Sequence, residues 1–338
     1  MQTSIFEIAQ RCGVSPGIVS RVLGTYRSEI SDETRDLVLH TAKELNFEPS
    51  PHTHKLGVLF MDESAKGLTH PFFASVLDAF KIAAEERGYD VTFINQRIGG
   101  QELSYTAYSQ YRNLAGVCIA CVDFTDPQVA ELAASGIPCV TVDHLFKKTP
   151  AVLSDNEMGV QKLVEYAISM GHRKIAFIHG HNNSVVTRTR IKQFYQTMEY
   201  YKLPVPEDYV RAGLYSDIGL ARSLVLELLD LEDRPSCILL PDDLSYFGAQ
   251  EAAVARGLKI PQDISFMGYD GISITQAIHP RLTTIRQNSE KIGEAAATRL
   301  INMIENPAGK ARVPTIVPTE LIEGESVSNR KENNEKKP

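Results

Sequence analysis

The sequence predicts a small all-α head followed by a two-lobed α/β body built on parallel sheets. Three observations predict it. Apolar residues within 1–47 recur at helical spacing. From Leu56 onward, short apolar runs alternate with amphipathic stretches, in two sets that meet near residue 155. Between these regimes, Pro49 and Pro51 in "NFEPSPHTHK" form a break that helix does not easily cross.

Each element has a local reason. Ser4 with Glu7 three places on makes a capping box, and Ile5, Ile8, Ala9 and Cys12 share one helical face that Gly13 ends. Ser15 suits the N-cap of a second helix and Pro16 its first position, where the amide has no partner anyway. Ile18, Val19, Val22 and Leu23 supply its buried face, and Gly24 stops it. A third helix begins at Ser31, carries Asp32 and Glu33 in its first turn, and packs Val38, Ala42 and Leu45.

In the body, "KLGVLFM", "YDVTFIN", "AGVCIACV", "PCVTVD", "KIAFIHG", "SCILLPDD" and "ISFMGYD" read as strands. "PFFASVLDAFKIAAEERG", "GVQKLVEYAISMG" and "GAQEAAVARG" read as helices between them. Ligands of doubly wound sheets bind at the carboxyl ends of the strands, and here those ends carry Asp62, Asp143, Asp242, Asp243 and Asp270. The tail "SVSNRKENNEKKP" lacks apolar content and reads as disordered.

Composition narrows the function. At 338 residues, 43% hydrophobic and 23% charged, the chain is globular with ample core material for two or three domains. No apolar run approaches the roughly 18 residues of a membrane helix, and no signal segment opens the chain, which predicts a cytoplasmic protein. The net charge of −7 argues against a nucleic-acid coat over the whole chain. Five cysteines, an odd count, read as free thiols. Cys118 and Cys121 are three apart on a strand, so they point to opposite faces and read as core rather than as metal ligands. His179 with His181, and His52 with His54, are pairs without further ligands and read as loop histidines. No cofactor or metal site is expected, and no phosphate loop, nucleophile elbow or zinc-hydrolase motif occurs.

Two short helices joined at a glycine, braced by a third, have the plan of a helix-turn-helix, whose second helix offers its N-terminal end to the major groove. Ser20 and Arg21 then stay polar to meet phosphates and bases while Val19 and Val22 hold the core. A helical docking module in which Arg21 is merely solvated fits the same periodicity. Residues 1–55 hold six Lys/Arg against seven Asp/Glu, so a single head binds DNA weakly, and two heads on one dimer gain by effective concentration.

These residues carry a resemblance. "SIFEIAQRCGVSPGIVSRVLG" followed by "ISDETRDLVLHTAKELNFEP" is similar to the head of the lactose-repressor and purine-repressor family of bacterial transcription regulators. "HPFF", "GIPCVTVDH", "SDNEMGV", "MGHRKIAFIHG", "ARGLKIPQDISFMGYD" and "RLTTIRQ" continue it in order, over nearly residues 4 to 322. The resemblance implies a periplasmic-binding-protein-like (type I) body closing on a small effector, without catalysis, in a homodimer that binds a near-palindromic operator. The helix from Phe72 to Arg87 is then the expected dimer contact. The expected domains are a head over 1–49, a linker over 50–55, and a body over 56–325. Within that body, lobe 1 spans about 56–154 and 284–308, and lobe 2 about 155–283 and 309–325, ahead of a disordered 326–338.

Carried over by position, DNA contacts fall on Ser4, Ser15, Pro16, Gly17, Ser20, Arg21 and Tyr26. Effector contacts fall on His70, Phe72, Phe73, Asp143, His144, Arg190, Tyr215, Asp242, Asp270 and Gln287. Carboxylates accept hydroxyl hydrogens, an arginine fork donates to ring or anionic oxygens and aromatic rings cover an apolar sugar face. Arg190 equally fits a carboxylate or phosphate, but the acid-rich set favours a neutral polyol or sugar. Asp155 reads as a hinge residue or helix cap.

Three departures stand out. The linker is shorter than is usual in the family and lacks its Ala-Arg-x-Leu helix, the element whose leucine kinks DNA. Pro16 and Gly17 take positions of base-reading side chains and cannot read bases through side chains. "DESAKGLTH" is a longer loop than usual before "PFF". The alternatives are a sugar-binding receptor or a glycosidase-like enzyme without DNA function; the second would need two carboxylates at a set separation.

Overall fold

The computed structural model describes residues 5–14, 16–23, 30–45, 47, 54–61, 67–98, 101–306 and 313–331. It divides into two units, Met1–Thr53 and His54–Pro338.

The first unit holds α1 (Ile5–Cys12), α2 (Pro16–Leu23) and α3 (Asp32–Glu44). Ile8, Ala9, Val19, Val22, Val38 and Ala42 meet at its buried centre, as their helical spacing predicts. Gly13 leaves α1 at φ +65°, a backbone shape that suits glycine. Ser31 caps α3 by accepting the Thr34 amide at 3.3 Å.

The second unit runs through β1 (Lys55–Phe60), α4 (Pro71–Glu86), β2 (Asp90–Phe93), β3 (Arg97–Ile98), β4 (Gln101–Glu102), α5 (Tyr105–Tyr111), β5 (Gly116–Ala120), α6 (Pro127–Ala134), β6 (Cys139–Val142) and β7 (Ala151–Ser154). It continues through α7 (Asn156–Ser169), β8 (Ile175–His179), α8 (Val185–Tyr200), β9 (Val210–Ala212), α9 (Ile218–Leu229), β10 (Cys237–Leu239), α10 (Ser245–Ala255), β11 (Ser265–Asp270), α11 (Ser273–Ala277) and β12 (Thr283–Arg286). It closes with α12 (Ser289–Glu305), β13 (Thr315–Val317) and β14 (Glu320–Ile322).

Two six-stranded sheets result. One is ordered β13-β7-β6-β5-β1-β2 and parallel throughout. The other is ordered β14-β12-β11-β10-β8-β9, parallel except where β14 runs against β12. Helices cover both faces of each, which is why strands such as "GVCIA" are buried from end to end. In the first lobe, α4 and α12 lie close enough that a Cβ on Gly293 would meet the Val76 carbonyl at 2.2 Å, so only glycine admits this contact.

Among the described residues, the chain crosses between lobes at three places, after β7, after β12 and between β13 and β14. Asp155 caps α7 through the Met158 amide, and its own amide donates to the Val317 carbonyl at 2.9 Å. The Thr319 hydroxyl in turn donates to the Asp155 carbonyl at 3.4 Å. This ties two crossings together and gives Asp155 both roles expected of it.

Two expectations need correction. The strand at 315–317 joins the first lobe's sheet rather than the second, and 284–286 belongs to the second lobe rather than the first. Pairing of β13 with β7, and of β12 with β11, decides both. Residues 326–330 are not a free tail. Ser326 is fully buried and its hydroxyl donates to the Phe266 carbonyl, while the Arg330 amide donates to Met170. Hydrogen bonds hold this segment, so its low apolar content was a poor guide.

Candidate functional site

A cleft of about 680 Å³ opens within the second unit and draws its walls from both lobes. His70, Phe72 and Phe73 stand at the start of α4, and Asp143 and His144 follow β6. Arg190 comes from α8, Tyr215 from the β9–α9 connection, Asp270 from the end of β11, and Gln287 from just beyond β12. Nine of the ten effector positions read from the sequence thus line one cavity.

Asp242 does not. Only 2% exposed, it accepts the Ser245 amide at 2.8 Å, the Ser245 hydroxyl at 3.0 Å and the Ser216 amide. Its carboxylate is consumed by backbone donors, so it braces the turn beside Tyr215 instead of meeting a ligand. Asp243 is likewise internal, accepting from the Ile272 amide and the Thr275 and Thr284 hydroxyls. Asp62 lies outside the described residues.

Arg190 is the central cation, 5% exposed. Its Nε donates to Asn156 Oδ1 at 2.7 Å and its Nη1 to the Pro241 carbonyl at 3.2 Å, while the guanidinium sits 3.5 Å over the Tyr269 ring. Tyr215 stands 5.9 Å away on the same group and bonds Thr187 through its hydroxyl at 2.7 Å. Gly180 makes room for it, since a Cβ there would meet the Tyr215 ring at 2.2 Å. These contacts lock the fork in place and leave Nη2 as its end for a ligand.

Burial pushes the Asp143 carboxyl above its ordinary range, with Arg190 and the Ser154 amide pulling the other way. Burial, reinforced by Asp242 and Asp243, raises Asp270 well above its usual value against Arg190 and Gln287. Burial also works to lower Arg190, but Tyr215, Tyr269, Asp270 and Asp143 more than offset it. Desolvation and Arg188 depress His144 to about 4, so its ring is neutral at pH 7.

Backbone strain gathers at the same place. Cys121, Asp143, Ser216 and Asp270 all have positive φ, at 51°, 59°, 57° and 116°, and all four line the cleft. The effector positions read from the sequence omit Asp123, Phe124 and Ser216, and take His181 for a loop histidine, yet all four line the cleft. The strand-end rule would have found Asp123, Phe124 and His181, which follow β5 and β8. No sequence signal marks Ser216. Cys118 is core, its thiol pushed up to about 12 by burial, whereas Cys121 borders the cleft.

In the first unit, Pro16, Gly17, Ser20 and Arg21 fall on α2, whose inner face is set by Val19 and Val22. Ser4, Ser15 and Tyr26 lie outside the described residues, as do linker residues 50–53.

Residues 4–50 match the lacI family of bacterial regulatory proteins, and residues 164–327 match a periplasmic binding protein-like domain. The HTH-type transcriptional repressor PurR of Escherichia coli O139:H28 is 29% identical over 96% of this chain and 97% of its own. PurR of Proteus mirabilis HI4320 is 28% identical over the same shares. Among solved structures, the transcriptional regulator CelR–cellobiose complex superposes with a TM-score of 0.74 at 24% identity, over 96% of this chain and all of the other. The lac repressor dimer bound to operator and the anti-inducer ONPF gives 0.69 at 23%, over 97% and 100%.

A helix-turn-helix unit followed by a two-lobed, cleft-bearing body defines a DNA-binding transcriptional regulator governed by a small molecule. The head matches the lacI family of bacterial regulatory proteins, and the chain is similar over nearly its whole length to PurR repressors.

Proposed function

We propose that this protein represses transcription as a homodimer on a near-palindromic DNA site, and that a sugar or sugar derivative bound between its lobes changes that grip. The observation that carries the effector reading is the cleft floor, where Asp143 and Asp270 face one cavity with the Arg190 fork and the Tyr215 ring. Two carboxyls accept pairs of hydroxyls, the guanidinium donates to ring or hydroxyl oxygens, and the aromatic rings cover the apolar face of a sugar.

Ser4, Ser15, Ser20, Arg21 and Tyr26 supply the DNA contacts in this reading, with Pro16 and Gly17 allowing close backbone approach. The outer side of α4, which leaves Lys81 and Ile82 exposed, contributes to the dimer contact. Two symmetric heads then face two half-sites. The ligand acts only through its difference in affinity between open and closed lobes. The cleft binds and does not hydrolyse, and the protein works where the chromosome lies, in the cytoplasm. Its relatives' role as repressors supports this.

Calorimetric titration of the protein with hexoses, pentoses, disaccharides and purine bases tests the effector class. Binding of a saccharide that also alters DNA affinity is the expected result; binding of purines alone would overturn the sugar assignment.

A further inference from the structure

The first lobe also carries an aromatic shelf that the cleft floor does not use. Phe124, after β5, and His144, after β6, stack face to face with centroids 4.0 Å apart and planes 4° apart. Phe146 stands edge-on to both, at 6.0 and 4.6 Å. Phe124 and His144 line the same cleft as Asp143, Arg190 and Asp270. A neutral imidazole stacked on a phenyl ring makes a flat, apolar, rigid surface.

Three features say what such a surface would take. The cavity, at about 680 Å³, lies well inside the range of roughly 300–1,000 Å³ typical of small-molecule sites, so volume leaves room beyond one sugar ring. Polar groups surround the shelf: Asp123, Thr125, His181 and Asn183 line the same cavity. A bare aryl group would leave them unanswered, whereas ring hydroxyls would bond them. Finally, Asp123 has Oδ1 occupied by the Thr125 amide and hydroxyl, at 2.8 and 2.6 Å, which fixes its carboxylate with Oδ2 to spare.

We infer that Phe124 and His144 form a second subsite, which takes the distal ring of a disaccharide-class effector whose first ring lies on Asp143, Asp270 and Arg190. The inference rests on the sugar reading above. Isothermal titration of the full chain with glucose, galactose, cellobiose, lactose and maltose tests it.

At least one disaccharide is expected to bind about tenfold tighter than its constituent hexose, the size of effect an aromatic contact supplies. Phe124→Ala should remove that advantage by weakening the disaccharide far more than the hexose. Phe124→Leu, which keeps the apolar bulk without the flat face, should do the same with a native melting temperature. Equal affinity for hexose and disaccharide overturns the subsite alone, as do variants that weaken both ligands alike. If none of these saccharides binds, the sugar reading falls and the subsite with it.

Discussion

The Gln287 amide donates from Nε2 to Asp270 Oδ1 across 2.6 Å, and the Gln287 backbone amide donates to the Asp270 carbonyl at 3.2 Å. Gln287 lies where the chain leaves the second lobe for the first, so the carboxyl at the cleft floor is held directly by a lobe crossing. A ligand that bonds Asp270 thereby pulls on the segment that sets the angle between lobes.

Asp270→Ala should therefore abolish the effector's influence on DNA affinity while DNA binding itself persists. Gln287→Ala should lower effector affinity about tenfold, on the order of one hydrogen bond. Titrations of ligand and DNA against each variant measure both. Normal ligand affinity in Asp270→Ala would refute the assigned floor.

Arg21→Ala should erase the preference for operator over random duplex, about tenfold or more for a lost base contact, and leave ligand binding intact. Fluorescence anisotropy with both duplexes, alongside calorimetry of the body, separates the two effects. An unchanged footprint would remove Arg21 from the reading surface.

Asp243 makes stability depend on pH. Burial raises its carboxyl from 3.8 to about 7, with Thr284, Ile272 and Thr275 pulling the other way. Between those values the folded state holds a proton that the unfolded chain releases, so this group's contribution to stability falls as pH rises from about 4 to about 7. Asp243→Asn cannot titrate. Urea denaturation should show native stability minus variant stability falling steadily as pH rises through that window. A gap constant across the window would reject the shifted carboxyl.

Gly293→Ala should destabilise the first lobe by about 1–3 kcal/mol, because its methyl group would meet the Val76 carbonyl and force α4 and α12 apart. Denaturant unfolding measures it. A neutral result would mean that the two helices separate without cost.

Much of this was legible in the sequence. Ile8, Val19 and Val38 announced the head through helical spacing, and the alternation from Leu56 to Asp270 announced the parallel sheets. Phe72, Asp143, Arg190 and Tyr215 reached one cleft as the family resemblance implied. What escaped was set by non-local geometry. Strands of three residues such as β13 and β14 carry too little pattern to say which sheet they join. Asp242 turned inward because the Ser216 and Ser245 amides need an acceptor, and Ser216 is 26 residues away along the chain. Phe124 and His144 sit 20 apart in sequence on separate loops, and only the sheet brings them into contact.

The central claim is that a cleft in the body governs a DNA-reading head. Genomic fragments selected on the purified protein, then titrated by anisotropy with and without the saccharide found by calorimetry, test it most directly. The account predicts a preferred inverted-repeat fragment whose affinity changes with saccharide in the native protein and stays fixed in Asp270→Ala. Equal affinity for selected and random duplex, indifferent to saccharide, would contradict it.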